Sequence, residues 1–251
     1  MGNFYTNITL KAEREGQIVA FLRSKSRAAF VSKPTDGFVV VYDAESESQD
    51  DEVLRRLARE LSESFDCPAL AVLNHDDDIL CYYLFQSGEE LDCYNSNPNY
   101  FSGQPVPPAG GDALKLIEAL RARCDSGQLE KILQSSPNLS ADSAQDVEEQ
   151  VANYFAKIKE RILNNPSVLQ NLNDPAALAN IESLAKKFQE DASERDAAQV
   201  SAPGGYIFAV ERHSDLVKTL ELPDLAVGVG YNYLRRGEFP PPFGARDFQH
   251  T

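Results

Sequence analysis

The order of strand-like and helix-like segments over the first 95 positions is the feature that most constrains the fold. Alternating apolar residues mark strands, whereas apolar residues three or four positions apart mark helices. By these patterns we predict, in order, a strand at 3–11, a helix at 14–25, strands at 28–32 and 38–43, a helix at 48–65 and a strand at 68–73.

Strand, helix, strand, strand, helix, strand is the order of a ferredoxin-like split βαβ unit, in which two helices cover one face of an antiparallel sheet. Two further strand-like runs, at 79–85 and 90–95, follow directly and extend the sheet as a β-meander. The sequence therefore predicts an α+β fold, with a sheet domain over residues 1–95.

The remainder of the chain alternates between linker and helical patterns. Residues 96–138 are predicted to be a Pro- and Gly-rich linker followed by helices, the first of them capped by Asp112. Residues 139–200 are predicted to be a helical insertion. Residues 201–251 are predicted to form a strand–helix–strand segment that packs back on the sheet domain, with an end that frays.

The stretch NHDDD lies between the predicted strands at 68–73 and 79–85 and has two interpretations. Asn and Asp are favoured in turns because their short side chains bond to nearby backbone and tolerate positive φ. The same side chains form a weak candidate cation site, made by His75, Asp76, Asp77 and Asp78. The segment lacks the spacing of a calcium loop, so a hairpin turn is the favoured interpretation and no metal is predicted.

Charge excludes several classes of partner. The chain has 24 Lys and Arg against 39 Asp and Glu, a formal net charge of −15. Nucleic acid and anionic membranes are bound through clustered positive charge, so neither is expected, and a protein partner would be a basic one. The four cysteines form no Cys-x-x-Cys pair and the N-terminus lacks a signal-peptide pattern, so we expect free thiols, no cofactor and a cytoplasmic protein.

Catalytic motifs are sparse. The chain has three histidines and no Gly-x-Ser-x-Gly motif. Glu211 and His213, at a predicted strand–helix junction, are the candidate pair for a hydrolase-type enzyme, although a solvated Glu211 and a locally packed His213 are the favoured interpretation. We therefore predict a non-enzymatic protein-interaction module, adaptor- or immunity-like. A small-ligand sensor domain and the hydrolase are the alternatives.

Aromatic residues in the later part of the chain are the predicted partner-binding residues. They are the large aromatic side chains of the helical insertion and of the C-terminal segment: Tyr154, Phe155, Phe188, Tyr231, Tyr233 and Phe239. In the linker, the Tyr100–Phe101 pair either pins the loop to the core or lines a groove. Gly228 and Gly230 are expected in a strand that another element approaches closely.

Three segments carry a resemblance. MGNFYTN at the start, PALAVLNHDDD, and the late ERH…L…LP…AVGVGYNYL…GE together resemble a bacterial family of uncharacterised proteins. The resemblance covers about the first 125 and the last 45 residues and leaves the helical stretch as an insertion. It implies a bacterial, cytoplasmic setting and brings no activity, cofactor or catalytic residue.

Overall fold

The structure is a computed structural model that describes residues 3–102, 106–135, 206, 208–240 and 242–251. Contacts divide the chain into two units, Met1–Pro137 with Phe208–Thr251, and Asn138–Ile207. Apart from Tyr206, the described residues all belong to the first unit. The predicted insertion at 139–200, with Tyr154, Phe155 and Phe188, lies outside the described residues.

Within the described residues, eight strands form one antiparallel sheet in the order β7-β6-β5-β4-β1-β3-β2-β8. The strands are β1 (Tyr5–Leu10), β2 (Ala29–Ser32), β3 (Val39–Asp43), β4 (Pro68–His75), β5 (Ile79–Gln86), β6 (Glu89–Asn95), β7 (Ala109–Gly110) and β8 (Phe248–His250). The helices are α1 (Glu15–Ser24), α2 (Asp51–Phe65), α3 (Ala113–Leu120), α4 (Ser126–Gln134), α5 (Ala209–Thr219) and α6 (Tyr231–Arg235). The predicted α+β class is confirmed, as is the meander of β4, β5 and β6.

Local chemistry sets where several elements begin and turn. Asp50 caps α2, because its carboxylate accepts hydrogen bonds from the N–H groups of Glu52 and Val53. Asp112 caps α3 as predicted. Asp36 and Gly37 have positive φ in the β2–β3 turn, and an Asp-Gly pair favours a hairpin turn of this kind.

One face of the sheet holds an apolar core under α1 and α2. Ile8 and Leu10 of β1 and Val39 and Val41 of β3 point into it. Leu57 of α2 packs against them and is almost fully buried. This is the helical face that the sequence predicts.

The opposite face is also covered, which the sequence analysis did not predict. Residues of α3, α5 and the segment after α5 lie over β4 and β5 and enclose a small cavity with them. Its lining is almost wholly apolar: Leu70, Val72, Leu80, Tyr82, Leu116, His213, Leu216, Val217, Leu220 and Leu222. The sheet therefore lies between two helical layers. No helix among the described residues has the length and apolarity to cross a membrane.

The C-terminal segment contains the predicted helix, but the described residues on either side of it do not form the two strands predicted there. The apolar residues after position 208 form helix α5, since Ala209, His213, Leu216 and Val217 are buried at helical spacing. The segment with Gly228 and Gly230 contains a 3-10 turn (Asp224–Ala226) and α6 in place of a strand. The end of the chain does not fray, because β8 pairs with β2.

Arg212 fixes α5 to the end of α4. Its guanidinium is buried and donates hydrogen bonds to the carbonyl oxygens of Ile132 (2.6 Å) and Leu133 (3.0 Å), to that of Ser135, and to the Tyr94 hydroxyl (2.6 Å). Carbonyl groups in the last turn of a helix lack intrahelical partners and carry partial negative charge. A buried cation there satisfies several of them at once.

Candidate functional site

A buried polar network joins the N-terminal segment, the β4–β5 turn and the start of α5. The N–H of Asn3 donates to Oδ2 of Asp77 (3.0 Å), and the Asn74 side-chain amide donates both to the Asn3 carbonyl (2.7 Å) and to Oδ1 of Asp77 (3.0 Å). The N–H of Ala209, at the start of α5, donates to the Asp77 carbonyl (2.6 Å). The β4–β5 turn therefore binds both the N-terminal segment and α5.

Asn7 extends this network to the C-terminal segment. Its amide nitrogen donates to the carbonyl oxygens of Ala226 (2.7 Å) and Val229 (3.2 Å). The Tyr233 hydroxyl donates to Oδ1 of Asn3. Asn7 thus satisfies two backbone carbonyl groups in the segment where a strand was predicted, without a strand ladder.

Glu47 occupies the N-terminus of the short helix α6. Its carboxylate accepts hydrogen bonds from the N–H of Tyr231 (2.8 Å) and the side chain of Asn232 (3.2 Å), and burial raises its pKa. A Cβ at Gly230 would lie 2.1 Å from Oε1 of Glu47. The close approach predicted for this glycine is confirmed, although its partner is a side chain and its own backbone is not a strand.

The candidate catalytic pair does not form a site. Glu211 and His213 are two positions apart on α5, and such residues do not share a helix face. His213 is buried, stacks on Tyr5 and shares a 2.7 Å hydrogen bond between its Nδ1 and the Tyr5 hydroxyl. Burial lowers the pKa of His213 to about 3, so the imidazole is neutral near pH 7. His213 has a packing role beneath the sheet.

The NHDDD stretch is the β4–β5 turn, as favoured from the sequence. Asp76 and Asp77 have positive φ, which Asp tolerates better than most residues. Both oxygens of Asp77 bond inward, to Asn3 and Asn74, and burial raises its pKa to about 6. Within the part of the chain that the structure describes, no three His, Cys, Asp or Glu side chains form a metal-binding group. The candidate cation site at His75, Asp76, Asp77 and Asp78 is therefore not assembled.

Beside this turn lies a group of four aromatic residues, two exposed and two half-buried, here named the aromatic surface: Phe4, His75, Tyr100 and Phe101. The His75 ring lies 5.0 Å from that of Phe4 and 5.7 Å from that of Phe101, both edge to face. The rings of Tyr100 and Phe101 are 5.1 Å apart. Phe101 is 83% exposed and Phe4 is 40% exposed, so the surface presents apolar faces to solvent.

The aromatic surface rests on a fixed base. Tyr100 packs against the apolar core and donates from its hydroxyl to Oδ2 of Asp78 (2.9 Å). Nδ1 of His75 lies 3.3 Å from Oε1 of Gln49, which precedes α2. The two sequence interpretations of the Tyr100–Phe101 pair thus apply to different residues: Tyr100 pins the loop, whereas Phe101 projects from it.

The predicted partner-binding residues of the C-terminal segment lie elsewhere and make internal contacts. Tyr231 is buried beside Phe30. Tyr233 is half-buried and bonded to Asn3, and Phe239 stacks on Phe248 with ring centroids 5.5 Å apart. These contacts fix the C-terminal segment to the sheet, which leaves Tyr233 and Phe239 with only partial exposure.

Sequence reasoning did not single out Phe4 and His75 as one surface. Phe4 was assigned to the alternation of the first strand, and His75 only to the candidate cation site. The register of the β1–β4 strand pair is the signal that could have shown that Phe4 and His75 lie together. Because Tyr5 pairs with Asn74, their neighbours Phe4 and His75 meet on the same face of the sheet.

The cavity under α5 offers little to a small ligand. It is lined almost wholly by apolar side chains and is far smaller than the several hundred Å³ typical of metabolite sites. The aromatic surface is therefore the candidate functional site. No family model, no curated protein and no solved structure matches the chain.

Proposed function

We propose that the chain is a non-enzymatic protein-interaction module, adaptor- or immunity-like, and that the aromatic surface is where its partner binds. The observation that carries the proposal is the 83% exposure of Phe101 within a group of four touching aromatic residues. Single exposed apolar residues are common on protein surfaces, whereas contiguous aromatic patches mark interaction sites.

Aromatic side chains suit this role for a physical reason. They bury a large area when a partner covers them and lose little conformational freedom, so they dominate the binding energy of many interfaces. Here the bond from Tyr100 to Asp78 and the contact of His75 with Gln49 hold the surface in place before binding. A pre-ordered site loses less entropy on association.

The proposal includes the ferredoxin-like interpretation of the sheet. Strands β4, β1, β3 and β2 are neighbours in that order, and a helix follows each of β1 and β3 along the chain. This is the arrangement expected of a split βαβ unit. In this interpretation the sheet is a rigid scaffold that carries the β4–β5 turn. The bacterial and cytoplasmic setting stays a prediction from the resemblance.

The test is affinity enrichment from an extract of the source cells with three immobilised proteins: the full chain, Phe101→Ala and Leu114→Ala. Leu114 of α3 is 64% exposed and lies outside the aromatic surface, so its variant controls for the loss of an exposed apolar side chain. We expect the same protein to be enriched by the full chain and by Leu114→Ala, and to be lost with Phe101→Ala.

Equal enrichment by all three proteins would place the partner elsewhere and contradict the proposed site. A parallel sample that lacks residues 138–207 tests whether the predicted partner residues Tyr154, Phe155 and Phe188 take part. Loss of the partner from that sample, with Phe101→Ala still binding, would move the site to the insertion.

A further inference from the structure

We infer that the partner presents an Arg or Lys side chain next to an apolar one, in a segment that lies across the aromatic surface. The inference rests on the proposed function and adds the chemistry of the partner. It follows from the charges beside the surface together with the exposed ring faces.

Carboxylates flank the aromatic surface on two sides. Asp76 and Asp78 belong to the β4–β5 turn, directly after His75. Asp50 follows Gln49, whose side chain contacts His75. Asp78 accepts a hydrogen bond from the Tyr100 hydroxyl and Asp50 caps α2, so these three aspartates bring formal negative charge to the border of the surface while two of them also have structural roles.

Exposed aromatic faces and carboxylates favour the same ligand group. The face of an aromatic ring carries negative potential and attracts cations, and a guanidinium can stack on a ring while it donates hydrogen bonds to a nearby carboxylate. Phe4 and Phe101 offer the exposed rings. The bond from Tyr100 holds the Asp78 carboxylate next to the surface, and Asp76 adds a second negative charge in the same turn. An apolar side chain beside the cation would cover the remaining ring area.

Charge also argues against two other possible partners of the aromatic surface: a second copy of this chain and an acidic protein segment. A second copy of this chain would bring the same carboxylates together and would carry a further net charge of −15. An acidic protein segment would meet the same repulsion. A basic segment is attracted both by the local carboxylates and by the field of the whole chain.

The test is selection from a phage library of random peptides of about 12 residues, long enough to cross such a surface. The full chain is the bait, and phage that also bind Phe101→Ala are removed. We expect the selected peptides to carry Arg or Lys beside Leu, Ile or an aromatic residue. Their affinity should fall several-fold when NaCl is raised from about 50 mM to about 500 mM.

Matched variants then separate the two parts of the inference. For a selected peptide we expect the affinity to fall about tenfold or more with Phe101→Ala, about three- to tenfold with Asp76→Asn combined with Asp78→Asn, and less than about twofold with Asp36→Asn. Asp36 is an exposed turn residue with φ of 52°, close to the 53° of Asp76. Its substitution makes the same chemical change away from the surface.

Each of the other possible results would overturn part or all of the inference. Phe101-dependent peptides without Arg or Lys would overturn the inferred partner chemistry and leave the aromatic surface as the binding site. Peptides whose affinity responds equally to Asp36→Asn and to the Asp76 and Asp78 substitutions would overturn the local role of charge. An absence of Phe101-dependent peptides would overturn the inference and would also count against the proposed site.

Discussion

The two faces of the sheet are covered in different ways. Under α1 and α2 the contacts are apolar, between side chains such as Ile8, Val41 and Leu57. Under the C-terminal segment the sheet also presents amides and hydroxyls, and the Asn7 amide nitrogen and the Tyr42 hydroxyl bond to carbonyl groups of that segment. The Tyr42 hydroxyl, for example, donates to the carbonyl of Leu225 (2.7 Å), 183 positions away.

Because of this difference, one sheet binds regular helices on one face and an irregular segment on the other. Apolar burial is non-directional and stabilises any helix with a suitable stripe. Hydrogen bonds to buried backbone are directional, so the polar face specifies where the irregular segment around Ala226 and Val229 must lie. Substitutions on the α1 and α2 face should therefore lower stability because they leave cavities. Substitutions on the face under the C-terminal segment should lower it because they leave buried polar groups without hydrogen-bond partners.

The largest effect is expected from Arg212→Met on the polar side. Methionine keeps much of the length but removes the donors to Ile132, Leu133, Ser135 and Tyr94, which leaves buried acceptors without partners. We expect a loss of about 4 kcal/mol in the free energy of unfolding, measured by urea denaturation.

Tyr94→Phe is the matched control for that change. It removes one hydroxyl, which donates to Leu133 (2.8 Å), and keeps the guanidinium bonds to the helix end. The expected loss is about 1 kcal/mol. If the two variants were equally destabilised, the multiple bonds of Arg212 would not be what secures α4 and α5.

On the apolar face, Leu57→Ala tests stabilisation by burial. Leu57 is almost fully buried in the core under α2, so its truncation removes apolar contacts and leaves a cavity. We expect a loss of about 3 kcal/mol in the free energy of unfolding, with no change in its pH dependence. A loss below about 1 kcal/mol would mean that this core is loosely packed.

The contrast between the two faces of the sheet also explains which contacts the sequence predicts and which it does not. The core residues of α2 and the hairpin at Asp36 and Gly37 follow from periodicity and turn chemistry, which are local. The bonds of Asn7 to Ala226 and Val229 do not, because a sequence shows neither which distant backbone lacks a partner nor which side chain reaches it.

The aromatic surface was only partly predictable. The Tyr100–Phe101 pair is visible in the linker, yet the division of roles between the two rings depends on where β4 and β5 place Asp78 and the core. The first turn of α5 was predicted to belong to a strand because a short apolar run fits a strand or a buried helix equally well.

The polar face should also give the protein opposing pH responses. Burial raises the pKa of Asp77 to about 6, so the stability that its protonated form contributes is present below its unfolded pKa and is lost as pH rises through about 6. Burial lowers the pKa of His213 to about 3, so its contribution is present above the unfolded value near 6.5 and is lost as pH falls towards 3.

Between pH 4 and pH 6 the two responses act in opposite directions. Asp77→Asn removes one of them, and the free energy of unfolding should then rise with pH by about 2 kcal/mol more than in the unaltered chain. His213→Gln should change the slope in the opposite sense. Urea denaturation at several pH values measures both, and identical slopes in all three proteins would contradict the burial of these groups.

The smallest effect on stability is expected at the aromatic surface. Phe101 is 83% exposed, so Phe101→Ala should change the free energy of unfolding by less than about 0.5 kcal/mol. The same change is expected to abolish partner binding, which would separate function from folding. A destabilisation of more than about 1 kcal/mol would assign Phe101 a structural role.

The most direct test of the proposed function is photo-crosslinking in the source cells with a benzoylphenylalanine side chain at position 101, compared with one at position 114. Both positions are largely exposed, so accidental encounters should label them equally. We predict a discrete crosslinked protein at position 101 that is absent at position 114. The same products at both positions, or none at position 101, would contradict the assignment of the aromatic surface as the binding site.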